Sequence, residues 1–321
     1  MNEKVVLQRP TVIRKKRSFM KEFLKQADLQ ILVIPSIIHI IIFSYIPMYG
    51  IIMAFQEFRL GDFPGLSEWV GLKHFYYLFS DPNFATVLRN TVVISLLKLL
   101  INFPAPIIFA ILMNELYNIR FRKSVQTISY LPHFISWVVA GTLLFDFFSV
   151  DNGAVNSALV GLGIVERPIH FFGEGKYFWP MAVVTDLWKG LGWNTIIYFA
   201  AITAIDPELY QVAEIDGAGR YAKMWHITFA SILPTVILLL IFTVGNLLNA
   251  NFDQIMILTN QMTNAKLREY ADVIDTYVYR VGLRGNRYSY ASAAGLFKSL
   301  TNIVLLLVAN KIASRTGHEV L

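Results

Sequence analysis

Six blocks of nearly continuous apolar residues, each long enough to cross a bilayer, constrain this chain more than any other feature. A helix needs about 20 residues to span the hydrocarbon core. Blocks of that size lie near Leu29–Phe55, Thr91–Met113, Val125–Phe148, Phe178–Thr203, Leu233–Ala250 and Tyr290–Ala309. In lipid every backbone N–H and C=O must be satisfied internally, and for segments of this kind that means helices. Composition agrees: of 321 residues 55% are hydrophobic and 16% charged, with a mean hydropathy of +0.50, whereas a soluble chain runs nearer a quarter charged. The expectation is an all-α integral membrane protein with six transmembrane helices. Pro35, Pro47 and Gly50 predict that the first helix is kinked or broken near its outer end. That block is too long for a signal peptide, and no A-x-A-like cleavage site follows it. Cysteine is absent, which excludes disulfides, thiol nucleophiles and thiolate metal sites.

Lys and Arg in the connections set the orientation. The tail before the first block carries Lys4, Arg9, Arg14, Lys15, Lys16, Arg17, Lys21 and Lys25, and the second-to-third connection adds Arg120, Arg122 and Lys123. The first outer connection has only Arg59 and Lys73, the second only Arg167 and Lys176. Both termini are therefore expected in the cytoplasm. The segment 251–288 opposes this, with Lys266, Arg268, Arg280, Arg284 and Arg287 on the expected outside, but long loops follow the rule weakly. Val12–Gln26 is basic and amphipathic and reads as an elbow helix on the inner leaflet. The domain reading is a cytoplasmic tail and elbow over 1–28, then a six-helix membrane domain over 29–321.

Within that domain, residues 204–231 form a polar island facing the cytoplasm. Asp206-Pro207-Glu208 is a helix start: an N-cap acceptor, a proline at the first helical position, and an acid at the positive end of the dipole. The helix is expected to stop at Asp216-Gly217, where glycine can turn left-handed. A second helix follows from about Ala218 towards Phe229, with Pro234 opening the fifth span. The result is a knob whose small residues (Ala213, Gly217, Ala218 and Gly219) admit a close partner surface. Gly217-Ala218-Gly219-Arg220-Tyr221-Ala222 fits G-x-G-x-x-A, but a dinucleotide fingerprint needs a preceding strand, and a helix precedes it here.

This island resembles the cytoplasmic signature loop of binding-protein-dependent ABC importer permeases, written EAA…DGA…I-x-L-P. Here it reads Tyr210-Gln211-Val212-Ala213-Glu214-Ile215-Asp216-Gly217-Ala218, followed by Ile232-Leu233-Pro234. Further stretches, "PSIIHIIIFSYIPMYGIIMAFQEF", "WVGLKHFYYLFSDPNF" and "DVIDTYVYRVGLRGNRYSYASAAGLFKSL", are similar to the carbohydrate branch that handles oligosaccharides, polysaccharide fragments and alginate. The chain departs from the pattern at Gln211-Val212, where Glu-Ala is usual, and at Ala230, where a proline is common.

The resemblance implies a type I ABC importer permease fold in a bacterial cytoplasmic membrane. It implies a coupling helix seated in a cytoplasmic ATPase, with Glu208, Tyr210, Gln211, Ala213, Asp216, Gly217, Ala218 and Arg220 at that contact. The implied partners are a dimeric ATPase, a second homologous permease, a periplasmic or lipid-anchored solute-binding protein, an oligosaccharide and membrane lipid, with no nucleic acid. No cofactor is expected in this chain. ATP and Mg belong to the ATPase, since no G-x-x-x-x-G-K-[ST] phosphate loop occurs and Gly173-Glu174-Gly175-Lys176 is too short.

A charge at mid-bilayer costs about 2.5–3.5 kcal/mol on insertion scales, so Lys98, Asp186 and Lys189 are expected to avoid lipid. Asp186 and Lys189, three apart on one helix face, can pair, and pairing inside the bundle is favoured over sugar contact. Gly192, Trp193 and Asn194 in the fourth span, with Asn246, Asn249 and Asn251 at the end of the fifth, are the candidate substrate path. Amides suit hydroxyls and an aromatic face suits a sugar ring. The competing reading for each is interhelical hydrogen bonding. Trp69, Tyr76, Tyr77 and Phe79 read as an interfacial belt. The outer stretches Phe63–Asn83 and Asp151–Lys176 are candidates for binding-protein contact. Two other classes are weaker. A secondary transporter would need a relay of carboxylates or histidines and duplicated halves, and an intramembrane enzyme a nucleophile–base or metal constellation.

Overall fold

The computed structural model of the chain describes residues 27–315. The segment Val12–Gln26, and with it the expected elbow helix, lies outside the described residues. Two units divide the chain, 1–50 and 51–321. In the first, helix α1 (Ala27–Ile40) passes into a π-helical stretch, Ile41–Tyr45, and then a 3-10 stretch, Ile46–Phe55, that runs past the division. The helix leaves α geometry at Ile41, ahead of Pro47, whose ring and missing N–H disrupt the i→i−4 ladder.

The second unit is built from α2 (Lys73–Ser80), α3 (Pro82–Ile101), α4 (Pro104–Asn114), α5 (Ile119–Phe134), α6 (Trp137–Phe147) and α7 (Ala154–Gly161). It continues with α8 (Gly175–Thr203), α9 (Pro207–Ile215), α10 (Arg220–Lys223), α11 (Ala230–Gly245), α12 (Phe252–Leu258), α13 (Ala265–Ala271), α14 (Ile274–Val278) and α15 (Tyr288–Arg315). Among the described residues the extended pairing is one isolated bridge, Gln56 with Trp69. Helix starts carry their signals in the sequence. Asp81, Asn118, Ser136, Asp206 and Asn264 each accept a backbone N–H of the first turn, and proline opens α3, α4 and α9.

Four helical runs are long and apolar enough to cross a membrane: Gln30–Phe55, Pro82–Asn114, Arg220–Gly245 and Tyr288–Arg315. A fifth counts if α5 and α6, bent by 106°, form one span. The third block is thus two helices rather than one. Pro132 loosens the end of α5, and Ser136 caps a new start. α8 is 29 residues long, but Lys176, Asp186 and Lys189 lower its apolar content. Pro234 lies inside α11 rather than opening it, and the helix runs back through a π-helical stretch, Met224–Phe229, to Arg220. That stretch ends one turn before Pro234, whose ring would otherwise press on the carbonyl of Ala230. On α15 the side chains of Leu300, Ile303, Val304, Leu307 and Val308 are exposed at helical spacing, a continuous apolar stripe that suits hydrocarbon and not water.

The segment 251–288 is part of the core rather than a loose loop. Asn90 of α3 donates to the carbonyls of Glu269 (2.9 Å) and Asp272 (3.1 Å), and Trp179 of α8 donates to that of Tyr270 (2.8 Å). The backbone N–H of Ile274 donates to Thr91 at 2.9 Å. Ile255, Leu258, Leu267 and Val273 pack with Phe178 and Met181 in one buried cluster. Three of its basic residues are used locally. Arg280 pairs with Asp272, Arg268 donates to the Met262 carbonyl at 2.9 Å, and Arg284 donates to Gln261 at 3.1 Å. Charges so engaged carry little topological information. A separate cluster (Ile107, Ala110, Tyr198, Ile202, Ile232 and Val236) joins α4, α8 and α11 next to the polar island.

Candidate functional site

Asp186, on α8, is the centre of a half-buried polar hub. Its Oδ1 lies 3.2 Å from Lys98 Nζ and accepts from Asn251 at 3.1 Å, and its Oδ2 accepts from Asn102 at 3.0 Å. Lys98 also donates to Gln254 Oε1 at 2.6 Å and to the Ala250 carbonyl at 3.3 Å. Gln254, wholly buried, donates to the Ala182 carbonyl (2.6 Å) and to Thr185 (2.9 Å). The anticipated Asp186–Lys189 pair is not formed. Lys98 reaches Asp186 from α3 with two further acceptors around it, whereas Lys189 turns the other way and donates to the His133 carbonyl at 2.8 Å. Asn251 holds φ +69° and caps α12 through the Gln254 N–H. Asparagine tolerates that left-handed conformation where most side chains do not.

Two cavities flank the hub. The larger, about 630 Å³, is lined by Lys98, Asn102, Asp186, Trp193, Asn194, Asn246 and Asn249 among others. The smaller, about 210 Å³, is lined by Asn102, His133, Trp137, Asp186, Lys189, Asn194 and Asn251 among others. Of the six path candidates the structure therefore brings Trp193, Asn194, Asn246 and Asn249 to one wall and Asn251 to the smaller cavity. Trp193 is stacked on His133 at 4.3 Å with parallel rings, and it keeps substantial exposure. Asn249 donates to Asn246 at 2.9 Å. Gly192 lines neither cavity. A Cβ there would collide with the Ser129 carbonyl, so this glycine serves the close approach of α5 to α8.

The polar island is a second, outward-facing feature. Asp206 caps α9 by accepting from the Glu208 N–H at 2.9 Å. At its end the Gly217 N–H donates to the Glu214 carbonyl (3.0 Å) and the Ala218 N–H to the Ala213 carbonyl (2.8 Å), with Gly217 at φ +76°. That is a Schellman closure. Tyr210 and Thr228 share a hydrogen bond of 2.9 Å, and Lys223 pairs with Glu214 at 2.6 Å. Arg220 pairs with Glu115 at 2.7 Å, bracing the knob to the end of α4. Glu208, Gln211 and Asp216 are exposed, while Ala213 and Ala218 are half-buried. Val212, Ile215 and Tyr221 stand out from the knob, Ile215 with 86% of its surface free.

Lys98, Asn102, Gln254 and Glu115 were missed as site residues. For Gln254 the available signal was an amide directly preceding an apolar run, Ile255–Leu258. The others needed partners far away in the chain.

The family model described as "Binding-protein-dependent transport system inner membrane component" matches residues 102–318. The chain is 41% identical to the polygalacturonan/rhamnogalacturonan transport system permease protein YteP of Bacillus subtilis (strain 168), over 95% of this chain and 93% of that protein. It is 26% identical to the arabinooligosaccharides transport system permease protein AraP of the same organism, over 92% and 91%. A chain in the crystal structure of a bacterial alginate ABC transporter, in complex with an alginate pentasaccharide-bound periplasmic protein, superposes with a TM-score of 0.85. It is 37% identical, covering 95% of this chain and all of that one.

Proposed function

Because the chain belongs to the family of binding-protein-dependent transport system inner membrane components, we propose that it carries an oligosaccharide through the bacterial cytoplasmic membrane as the permease subunit of an ABC importer. Six spans with both termini in the cytoplasm place the segment 204–231 inside the cell, where it forms the handle for a separate ATPase. The domain reading stays as a tail over 1–28 and a membrane domain over 29–321. The observation that carries this reading is the knob itself, a capped helix closed by a left-handed glycine that presents Val212, Ile215 and Tyr221 outward from an apolar bundle.

Mechanically, two ATPase subunits closing on ATP would draw this knob and that of a second permease together, and the bundles would rock between inward-open and outward-open states. The pair Arg220–Glu115 and the bond Tyr210–Thr228 give the knob a stiff link to α4 and to the base of α11, so displacement reaches the cavity walls. Glu208, Gln211, Ala213, Asp216, Gly217 and Ala218 form the ATPase-facing set. Trp193, Asn194, Asn246 and Asn249 offer a ring and three amides to a sugar released by a solute-binding protein. Gly192 and Asn251 shape that wall rather than touch cargo. Reconstitution in proteoliposomes tests the assignment. The chain alone should hydrolyse no ATP, and adding the ATPase, second permease and binding protein from neighbouring reading frames should give ATP-dependent saccharide uptake. ATP-independent uptake driven by an ion gradient would overturn it.

A further inference from the structure

The ionisable groups around the two cavities do not cancel. Asp186 is engaged by Lys98, Asn102 and Asn251, which leaves Lys189 without a carboxylate in contact. Its hydrogen-bond partner is a neutral one, the His133 carbonyl at 2.8 Å, and its ammonium lies 5.6 Å from the Trp137 ring centre. Among the described residues no carboxylate comes within ion-pair reach of it. An ammonium has three donors, so two remain available on the wall of the 210 Å³ cavity.

A cation held at membrane depth with no carboxylate in contact is costly. A methionine of similar length would cover Trp137 and His133 without that cost. What an ammonium adds is affinity for an anion passing through. The surroundings narrow the anion's chemistry. Asn194 supplies an amide to hydroxyls, and the Trp137 and Trp193 rings offer faces for sugar C–H groups. We propose that Lys189 is a specificity-determining residue on the translocation path, recognising the carboxylate of an acidic saccharide. This rests on the reading of the chain as a saccharide permease and deepens it.

The complete transporter in proteoliposomes tests this with three labelled probes: trigalacturonate, its methyl ester, and neutral arabinotriose. Comparing variants with one binding protein removes that protein's own selectivity. Lys189→Met should lower trigalacturonate uptake about ten- to a hundredfold, the range of a charge-assisted hydrogen bond. It should leave ester uptake and binding-protein-stimulated ATP hydrolysis near wild type, and Lys189→Arg should retain most acid uptake. Should Lys189→Met fail to assemble, Lys189→Gln gives the same contrast while still donating to the His133 carbonyl. Equal trigalacturonate uptake by wild type and variant overturns the proposal, as does equal loss of acid and ester, or wild-type uptake of arabinotriose alone. In each of these the importer reading survives. No ATP-dependent uptake of any probe by the wild-type complex would sink both.

Discussion

Around Asp186 the side chains of Lys98, Asn102, Asn251 and Gln254 join in one bonded network between helices, whereas across Asp206–Phe229 the polar groups close a turn and leave Val212, Ile215 and Tyr221 facing out. Both regions interrupt the same hydrocarbon background. The inner one derives its stability from pairing across helices, so its members are interdependent. The outer one is assembled from signals within a few residues of each other, so it keeps its shape as a local unit and can be gripped. An inward polar island holds a bundle together. An outward one, on the proposed reading, transmits force.

The comparison can be broken most forcefully at the hub. Asp186→Ala strands Lys98 inside the bundle and should cost about 3–5 kcal/mol, as for the loss of one partner of a buried pair. Denaturant unfolding in detergent measures it, with Asp186→Asn losing less because its amide oxygen still accepts. At the knob the corresponding change is Gly217→Val. Nothing crowds this glycine, so the effect is backbone strain alone, about 1–2 kcal/mol. It should appear as lost coupling of ATP hydrolysis to uptake rather than as lost folding. Asn251 separates backbone from amide. Asn251→Gly keeps the left-handed conformation, whereas Asn251→Ala loses both cap and conformation and should fall about 1 kcal/mol further in the same unfolding assay.

The smallest effect concerns pH at the N-terminal end of α3. Burial opposes the Asp81 carboxylate, but hydrogen bonds from Tyr277, the Asn83 backbone and side chain, and Tyr290 outweigh it and hold the carboxyl below its ordinary range. A lowered folded-state value means the stabilisation is complete above the unfolded value of about 3.9 and fades as pH falls through the folded one. Wild type should therefore lose melting temperature on acidification below about pH 4 more steeply than Asp81→Asn. Parallel curves would remove Asp81 from the account.

Legibility followed the range of the interactions. Asp206, Pro207 and Gly217 act on backbone groups within five residues, so the start, stop and closure of α9 could be read directly. The hub could not. Lys189 is the basic residue nearest Asp186 in sequence on its own helix, yet the partner chosen was Lys98, with Gln254 bridging from a third segment. Helices α12, α13 and α14 are seven, seven and five residues long, too short to impose a helical period, so 251–288 read as loop. Similarly, Gly192 looked like part of the sugar path because glycine beside tryptophan and asparagine suits a ligand. Only the position of the Ser129 carbonyl reveals a packing role.

The absence of cysteine makes one measurement unusually direct. A single Ile215→Cys substitution places a thiol at the tip of the knob, and a membrane-impermeant maleimide reports which side it faces. In inverted membrane vesicles the thiol should label, and adding the ATPase should protect it. In right-side-out vesicles it should not react. Labelling from the outer side would put the knob beyond reach of any cytoplasmic motor and contradict the account at its root.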